Sequence, residues 1–312
     1  MATATDGSTG RPRVAVLLSL YNGEKYLAEQ LESLARQRDV RVHVIARDDG
    51  SRDNSAQACE EICQHLGLSC KVERGPNLGV VGSFQDLLYR DLSAFDFVAL
   101  CDQDDVWRDD KLIRAVIALE PLGSEAAVYC TAHTIADEHL QELGVSPSPR
   151  AAAFGNALIE NIVQGASAVL NRAGIELLQD IGRPSWMPMH DWWFYLVFSA
   201  LGRVVFDPHP SLLYRQHGAN VVGGRRSPFR HWLVRIQRHF QNDRDAFYRQ
   251  AEEFDRLAGS RLPPQHRQLL QKLLASRRGL GARVRLATDR SLWRQRPIDD
   301  VIFRLLLLMG RY

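Results

Sequence analysis

The sequence contains no apolar run near the ~18–20 residues that a membrane-spanning helix requires. Its longest candidates, Trp192–Leu201 and Phe303–Met309, are much shorter. The opening stretch has neither the basic start nor the apolar core of a secretory leader, so residues 1–12 read as a flexible tail. Cysteine is sparse and odd in number: Cys59, Cys63, Cys70, Cys101 and Cys130 show no C-x2-C zinc spacing and predict reduced thiols. Cys59 and Cys63 can share a helix face, where a buried apolar pair is expected. Neither G-x-G-x-x-G nor a Walker A segment is present, which weighs against a dinucleotide dehydrogenase and a P-loop NTPase.

What is present is the composition of a folded globular protein, 45% hydrophobic and 24% charged over 312 residues. The net charge of +2 conceals a division. Residues 225–312 hold 20 Lys+Arg against 8 Asp+Glu, and residues 1–224 hold 19 against 29. Two regions with different partners are expected.

From Arg13 onward, short buried-type strands alternate with amphipathic helices. Strands are expected at Val14–Ser19, Val40–Ala46, Ser69–Glu73 and Phe95–Leu100, with helices over Glu24–Arg36, from about Asp53 to Leu66, Ser83–Arg90 and Lys111–Leu119. Such alternation predicts an α/β fold with a mostly parallel sheet, whose ligand site lies beyond the carboxyl ends of the strands. Gly75–Gly82 and Tyr214–Gly224 read as loops, and His231–Leu257 and Gln265–Ser276 as helices.

Two acidic clusters follow predicted strands. Asp102-Gln103-Asp104-Asp105 places three carboxylates within four residues, an arrangement that a divalent cation relieves. Asp-x-Asp points both carboxylates to one side of an extended segment, which suits Mg²⁺ or Mn²⁺ shared with phosphate oxygens. The competing reading is a solvated turn that caps the next helix. Asp48-Asp49-Gly50-Ser51 offers a carboxylate for the imide N–H of a pyrimidine, or a plain strand-to-helix turn. His190-Asp191-Trp192-Trp193 sets an aspartate among bulky aromatics, where burial raises its pKa toward general-base use; a helix-capping Asp is the rival. Tyr214-Arg215-Gln216-His217-Gly218 offers a metal ligand or phosphate contact at His217, or surface residues.

Taken together, these segments resemble glycosyltransferase family 2, inverting enzymes of the GT-A fold, in the form common to bacterial rhamnosyltransferase-like members. Val14 to Gly23, Asp48-Asp49-Gly50-Ser51, Cys101 to Trp107, His190 to Trp193 and Tyr214 to Asn220 carry the resemblance in order, across about Arg13 to Gly223. The resemblance implies donor contacts from Ser19, Tyr21, Asp48, Asp49, Gly79, Asp102, Gln103, Trp107 and Arg215. It implies metal ligation by Asp104 and His217 and a catalytic base at Asp191. It further implies a GT-A domain over 13–224 (nucleotide half about 13–122, acceptor half about 123–224), followed by a basic helical extension over 225–312. The Gln-x-x-Arg-Trp motif of processive synthases is missing, and the base motif is His-Asp where many members have Glu-Asp.

The expected partners are a nucleotide sugar, with dTDP-rhamnose as the first choice, and a glycan or lipid-linked acceptor in cell-surface polysaccharide synthesis. No nucleic acid is expected. The basic segment predicts either helices packed on the catalytic domain or a contact with anionic membrane, with Phe303–Met309 inserting shallowly. The expected location is cytoplasmic, peripheral to the inner face of the plasma membrane. Rival functions are a metal-dependent phosphohydrolase and an inactive nucleotide-sugar-binding protein.

Overall fold

A computed structural model describes residues 10–217 and 245–311. Strands β1 (Arg13–Leu20), β2 (Arg41–Asp48), β3 (Ser69–Arg74), β4 (Phe97–Cys101), β6 (Ala127–Thr131), β9 (Val169–Asn171) and β10 (Arg203–Asp207) form one sheet, in the order β10-β6-β9-β4-β1-β2-β3. All pairs are parallel except those of β9, which runs antiparallel to β4 and β6. Val14 to Leu18 of β1 are all fully buried, as befits a strand covered on both faces. Side chains alternate between the faces: Ala15 and Leu17 join one core, Val14, Val16, Leu18 and Leu20 the other.

Helices α1 (Glu24–Ala35), α2 (Ser55–Leu66) and α4 (Lys111–Leu119) cover the second core. On α2, Cys59 and Cys63 are buried on one face, and with Cys70 of β3 their sulfurs lie within 4.8 Å of one another. Helices α3 (Gly79–Leu88), α6 (Arg172–Ile181) and α7 (His190–Leu201) cover the first core, with the short α5 (Phe154–Ala157) beside α7. A second, four-stranded sheet of β5 (Val106–Trp107), β11 (Leu212–Arg215), β7 (Thr134–Ala136) and β8 (Glu142–Val145) was not expected from the sequence. It converts the start of the supposed loop at Tyr214 into a strand, while residues 218–224 lie outside the described residues.

The first core continues into the basic segment. Helices α8 (Ala246–Ala258), α9 (Pro264–Ala275), α10 (Leu280–Ala287) and α11 (Pro297–Leu308) contribute Phe247, Phe254, Leu270, Leu273, Leu286, Phe303 and Leu307 to it. The expected helix over His231–Leu257 is described only from Asp245; its face with Trp232, Ile236 and Phe240 lies outside the described residues. Within Phe303–Met309, Phe303 and Leu307 are buried in this core, while Leu305 and Met309 are exposed. Among the described residues, no helix is long and apolar enough to cross a membrane.

Candidate active site

The loops after β1, β2, β3 and β4 all leave the same edge of the sheet and are bonded to one another. After β1, Gln103 grips both polar groups of the Tyr21 peptide: its Oε1 accepts from Tyr21 N at 2.8 Å and its Nε2 donates to Tyr21 O at 3.0 Å. A Cβ at Gly23 would collide with the same Gln103 amide. On the other side, Asn22 N donates to Ser51 Oγ at 3.0 Å and Gly23 N to Ser55 Oγ at 2.8 Å. Gln103 and Tyr21 thus join the first acidic loop to the second through backbone and amide contacts. Ser19 is also committed, donating to Ser83 Oγ of α3 at 2.7 Å.

At the end of β2, Asp49 is only 2% exposed and its carboxylate is occupied. It pairs with the buried Arg47 guanidinium, and it accepts from Leu78 N and Gly79 N at 2.8 Å each. These two amides stand at the start of α3, where N–H groups have no partner within the helix. Asp49 therefore caps a helix about thirty residues away, and Gly79 serves through its N–H and its left-handed φ of 72°. Asp48 is less engaged: Ser51 N approaches its two oxygens at 3.3 and 3.4 Å. Of the two aspartates implied for base recognition, Asp48 keeps the less committed carboxylate.

At the end of β4 the carboxylates are poorly compensated. Burial pushes Asp102 up to about 7, aided by the charges of Asp104 and Asp191 and opposed by Lys111. Asp105 is fully buried; it accepts Arg215 N at 3.1 Å with Oδ1, while Oδ2 has no partner. Burial, with Asp102 and Asp104 adding to it, drives its pKa well above the usual carboxylate range. Lys111 is completely buried, donates to Ala166 O and lies 3.2 Å from the Trp107 ring centroid. Burial lowers it to about 7, with Cys101, Asp105 and Asp102 opposing.

The structure places Trp107 in the core, 1% exposed, so its ring supports Lys111 and does not reach the cleft surface. Arg215 is likewise 2% exposed. Its guanidinium pairs with Glu29, donates to Asp104 O at 2.8 Å and Glu138 O at 2.7 Å, and lies over the Tyr26 ring. It braces the acidic loop from beneath. Both motif side chains are thus engaged inside the fold.

His217 Nε2 lies 2.8 Å from Asp104 Oδ2, and its ring stacks on Tyr26. Adjacent ligands at ~2.1 Å from one cation sit roughly 3 Å apart, so these two atoms fit neighbouring coordination positions. The pair supplies two donors, and Mg²⁺ or Mn²⁺ characteristically takes its remainder from phosphate and water. Among the described residues, the only trio of potential ligand atoms within 4.8 Å is that of Cys59, Cys63 and Cys70.

Asp191 lies in the first turn of α7, whose N-cap is Met189. Its Oδ1 accepts from Trp192 N at 2.7 Å and its Oδ2 from Gly165 N at 3.2 Å. Burial nevertheless raises it to about 6, with these bonds and one from Asn161 opposing. The neighbouring His190 is buried against Phe84 and held neutral, lowered to about 3 by burial. Gly165 admits that packing, since a Cβ there would lie 2.7 Å from His190 Nε2. Asp104 and Asp191 thus both act by charge on Asp102, although about ninety residues separate Asp102 from Asp191.

A charged group at a buried helix position was the available signal for Lys111, which shares a stripe with Ala115 and Leu119. Arg47 and Asp49 sit two apart, the spacing that puts residues on one side of a strand. Neither pairing was drawn from the sequence.

The family model described as Glycosyl transferase family 2 matches residues 15–171. The chain belongs to glycosyl transferase family 2. Among curated relatives, the dTDP-rhamnosyl transferase RfbG of Shigella flexneri is 28% identical over 222 residues, covering 66% of this chain and 73% of that protein. S. aureus TarS 1-349, solved in complex with UDP-GlcNAc, superposes with a TM-score of 0.60 at 16% identity, over 96% of this chain and 87% of that one. The Pyrobaculum calidifontis mannosyltransferase PcManGT, solved with GDP-Man and Mn²⁺, gives 0.52 at 18% identity, over 95% and 88%. The mixed sheet, with its antiparallel β9, is therefore the GT-A fold.

Proposed function

We propose that this family 2 enzyme moves a single sugar from a nucleotide-diphosphate donor to a hydroxyl of a glycan or lipid-linked saccharide, with inversion, and that Asp191 is the base. The observation that carries the reading is the convergence of Asp102 and Asp104, both partly buried, with the buried Asp191; the charges of Asp104 and Asp191 act on Asp102. Asp104 suits a cation shared with the donor diphosphate, and Asp191 holds a proton-accepting pKa near 6. The acceptor O–H gives its proton to the Asp191 carboxylate, and the freed oxygen lone pair forms the new bond to the anomeric carbon. The bond to the diphosphate breaks on the opposite face, and the diphosphate leaves with that electron pair. Asp104 and His217 would hold Mg²⁺ or Mn²⁺, which when bound offsets the charge growing on the leaving group.

Asp48 is the candidate for base recognition, and Asp102 for the ribose side. Rhamnose from dTDP-rhamnose is the donor favoured by the likeness to RfbG. Synthesis of surface polysaccharide at the inner face of the plasma membrane completes the reading.

The test is Asp191→Ala. Turnover should fall by ~10²–10⁴, while calorimetric titration with a nucleoside diphosphate and Mn²⁺ stays near that of the parent. Asp104→Ala should weaken both. Full turnover in Asp191→Ala would remove the base assignment, and release of inorganic phosphate without a sugar-transfer product would point to a phosphohydrolase.

A further inference from the structure

We infer that α10 and α11 form a docking face for an anionic lipid surface, made by the helix stripes that point away from the core. Six of the eleven large apolar side chains exposed among the described residues lie here: Leu280, Val284, Ile298, Val301, Leu305 and Met309. The last four repeat at intervals of three and four and form one stripe on α11. The opposite stripe, with Phe303 and Leu307, is buried in the core, so the helix is already seated and its outer stripe is surplus to folding. Helices α10 and α11 touch, and Gly310 abuts the Arg283 guanidinium.

Charge selects the occupant. Residues 277–311 contain nine arginines and three aspartates. Asp289 is paired with Lys272, and Asp300 with Arg304, which leaves Asp299 as the remaining acid. Arg278, Arg285, Arg290, Arg296 and Arg311 are exposed. A second copy seated on the same patch would bring like arginines face to face. An anionic headgroup layer meets the arginines with opposite charge while its acyl boundary takes the apolar stripe. The face is also tied to the acceptor side of the cleft. Trp293 O accepts from Asn156, while Arg294 and Gln295 N bind Glu160, directly before the Asn161–Gly165 segment that bonds Asp191.

The inference is independent of the transfer reaction, because its readout is partition, not turnover. The full chain is sedimented with vesicles of phosphatidylcholine alone, and of phosphatidylcholine mixed with phosphatidylglycerol. Binding to the mixed vesicles only is expected. Val301→Ser/Leu305→Ser/Met309→Ser should lower that binding roughly tenfold or more, and so should Arg285→Gln/Arg290→Gln/Arg296→Gln. All six sites are exposed, so circular dichroism and Tm should match the parent. Failure of the parent to bind mixed vesicles would overturn the inference, as would undiminished binding by the apolar triple variant. A concentration-dependent dimer that this variant dissolves, with no vesicle uptake by the parent, would assign the face to a second copy instead.

Discussion

The two acidic clusters look alike as sequence and behave as opposites in the fold. Asp49 is surrounded by donors: one guanidinium and two helix-terminal amides. Asp102 and Asp105 are surrounded by other acids, with a single buried lysine and one backbone N–H against them. The first cluster is electrostatically finished and holds the sheet edge together. The second is left with an excess of negative charge, which a divalent cation is suited to relieve. Carboxylates in like motifs are thus told apart by their partners: Asp49 is fully engaged, and Asp102 is left repelled.

The sharpest way to break this contrast is the same isosteric change at both places. Asp49→Asn leaves Arg47 with Pro76 O at 2.9 Å and Asp86 at 3.3 Å, and should cost ~3 kcal/mol in chemical denaturation, the scale of a broken buried ion pair. Asp102→Asn removes a repelled charge, so in metal-free buffer above pH 7 it should leave stability unchanged or increase it. Equal losses for the two variants would erase the distinction.

The second test uses pH. The Asp102 pKa is raised from 3.8 to about 7, so between those values the folded chain holds a proton that the unfolded chain has lost. Metal-free stability should therefore be full below about 3.8 and decline as pH rises through about 7. Asp191, raised to about 6, adds to the same decline. Asp102→Asn should flatten the slope, and so should Mn²⁺; a slope unchanged in both would mean that the cluster is not strained.

The third is kinetic. With Asp191, the proposed base, near 6, kcat/KM should fall about tenfold per pH unit below that value. An acid limb near 4 would mean that Asp191 is not desolvated in the working enzyme.

The smallest effect is Gly79→Ala. Its Cβ would meet open space, so only the φ of 72° opposes it, and about 1 kcal/mol of stability should be lost. A neutral outcome would show that the Asp49 cap tolerates a shifted helix start.

Much of the frame was legible. β1, β2 and β4 are short buried runs that end in chemically distinctive residues, and the first three motif segments fall at their carboxyl ends. Other features had no local signature. The sequence reads as a loop up to Gly82, yet α3 starts at Gly79, because its first amides are capped by Asp49 from another loop. The second sheet is built from strands of two to four residues, too short for alternation to register, and β5 and β11 pair across about a hundred residues. Trp107 and Arg215 occupy motif positions, but their burial depends on Lys111, Tyr26 and Glu29, whose proximity no spacing reveals.

The grip of Trp293, Arg294 and Gln295 on residues 156–160 bears on protein engineering. The C-terminal helices cannot be treated as a detachable tag. A version ending after β11 would bare the apolar flank formed by Phe154 and Trp193, and would take Trp293 O and the Gln295 amide from Asn156 and Arg294 and Gln295 N from Glu160. Shortened versions should then lose activity through misfolding, and any comparison of tail function must be made by surface substitution on the intact polypeptide.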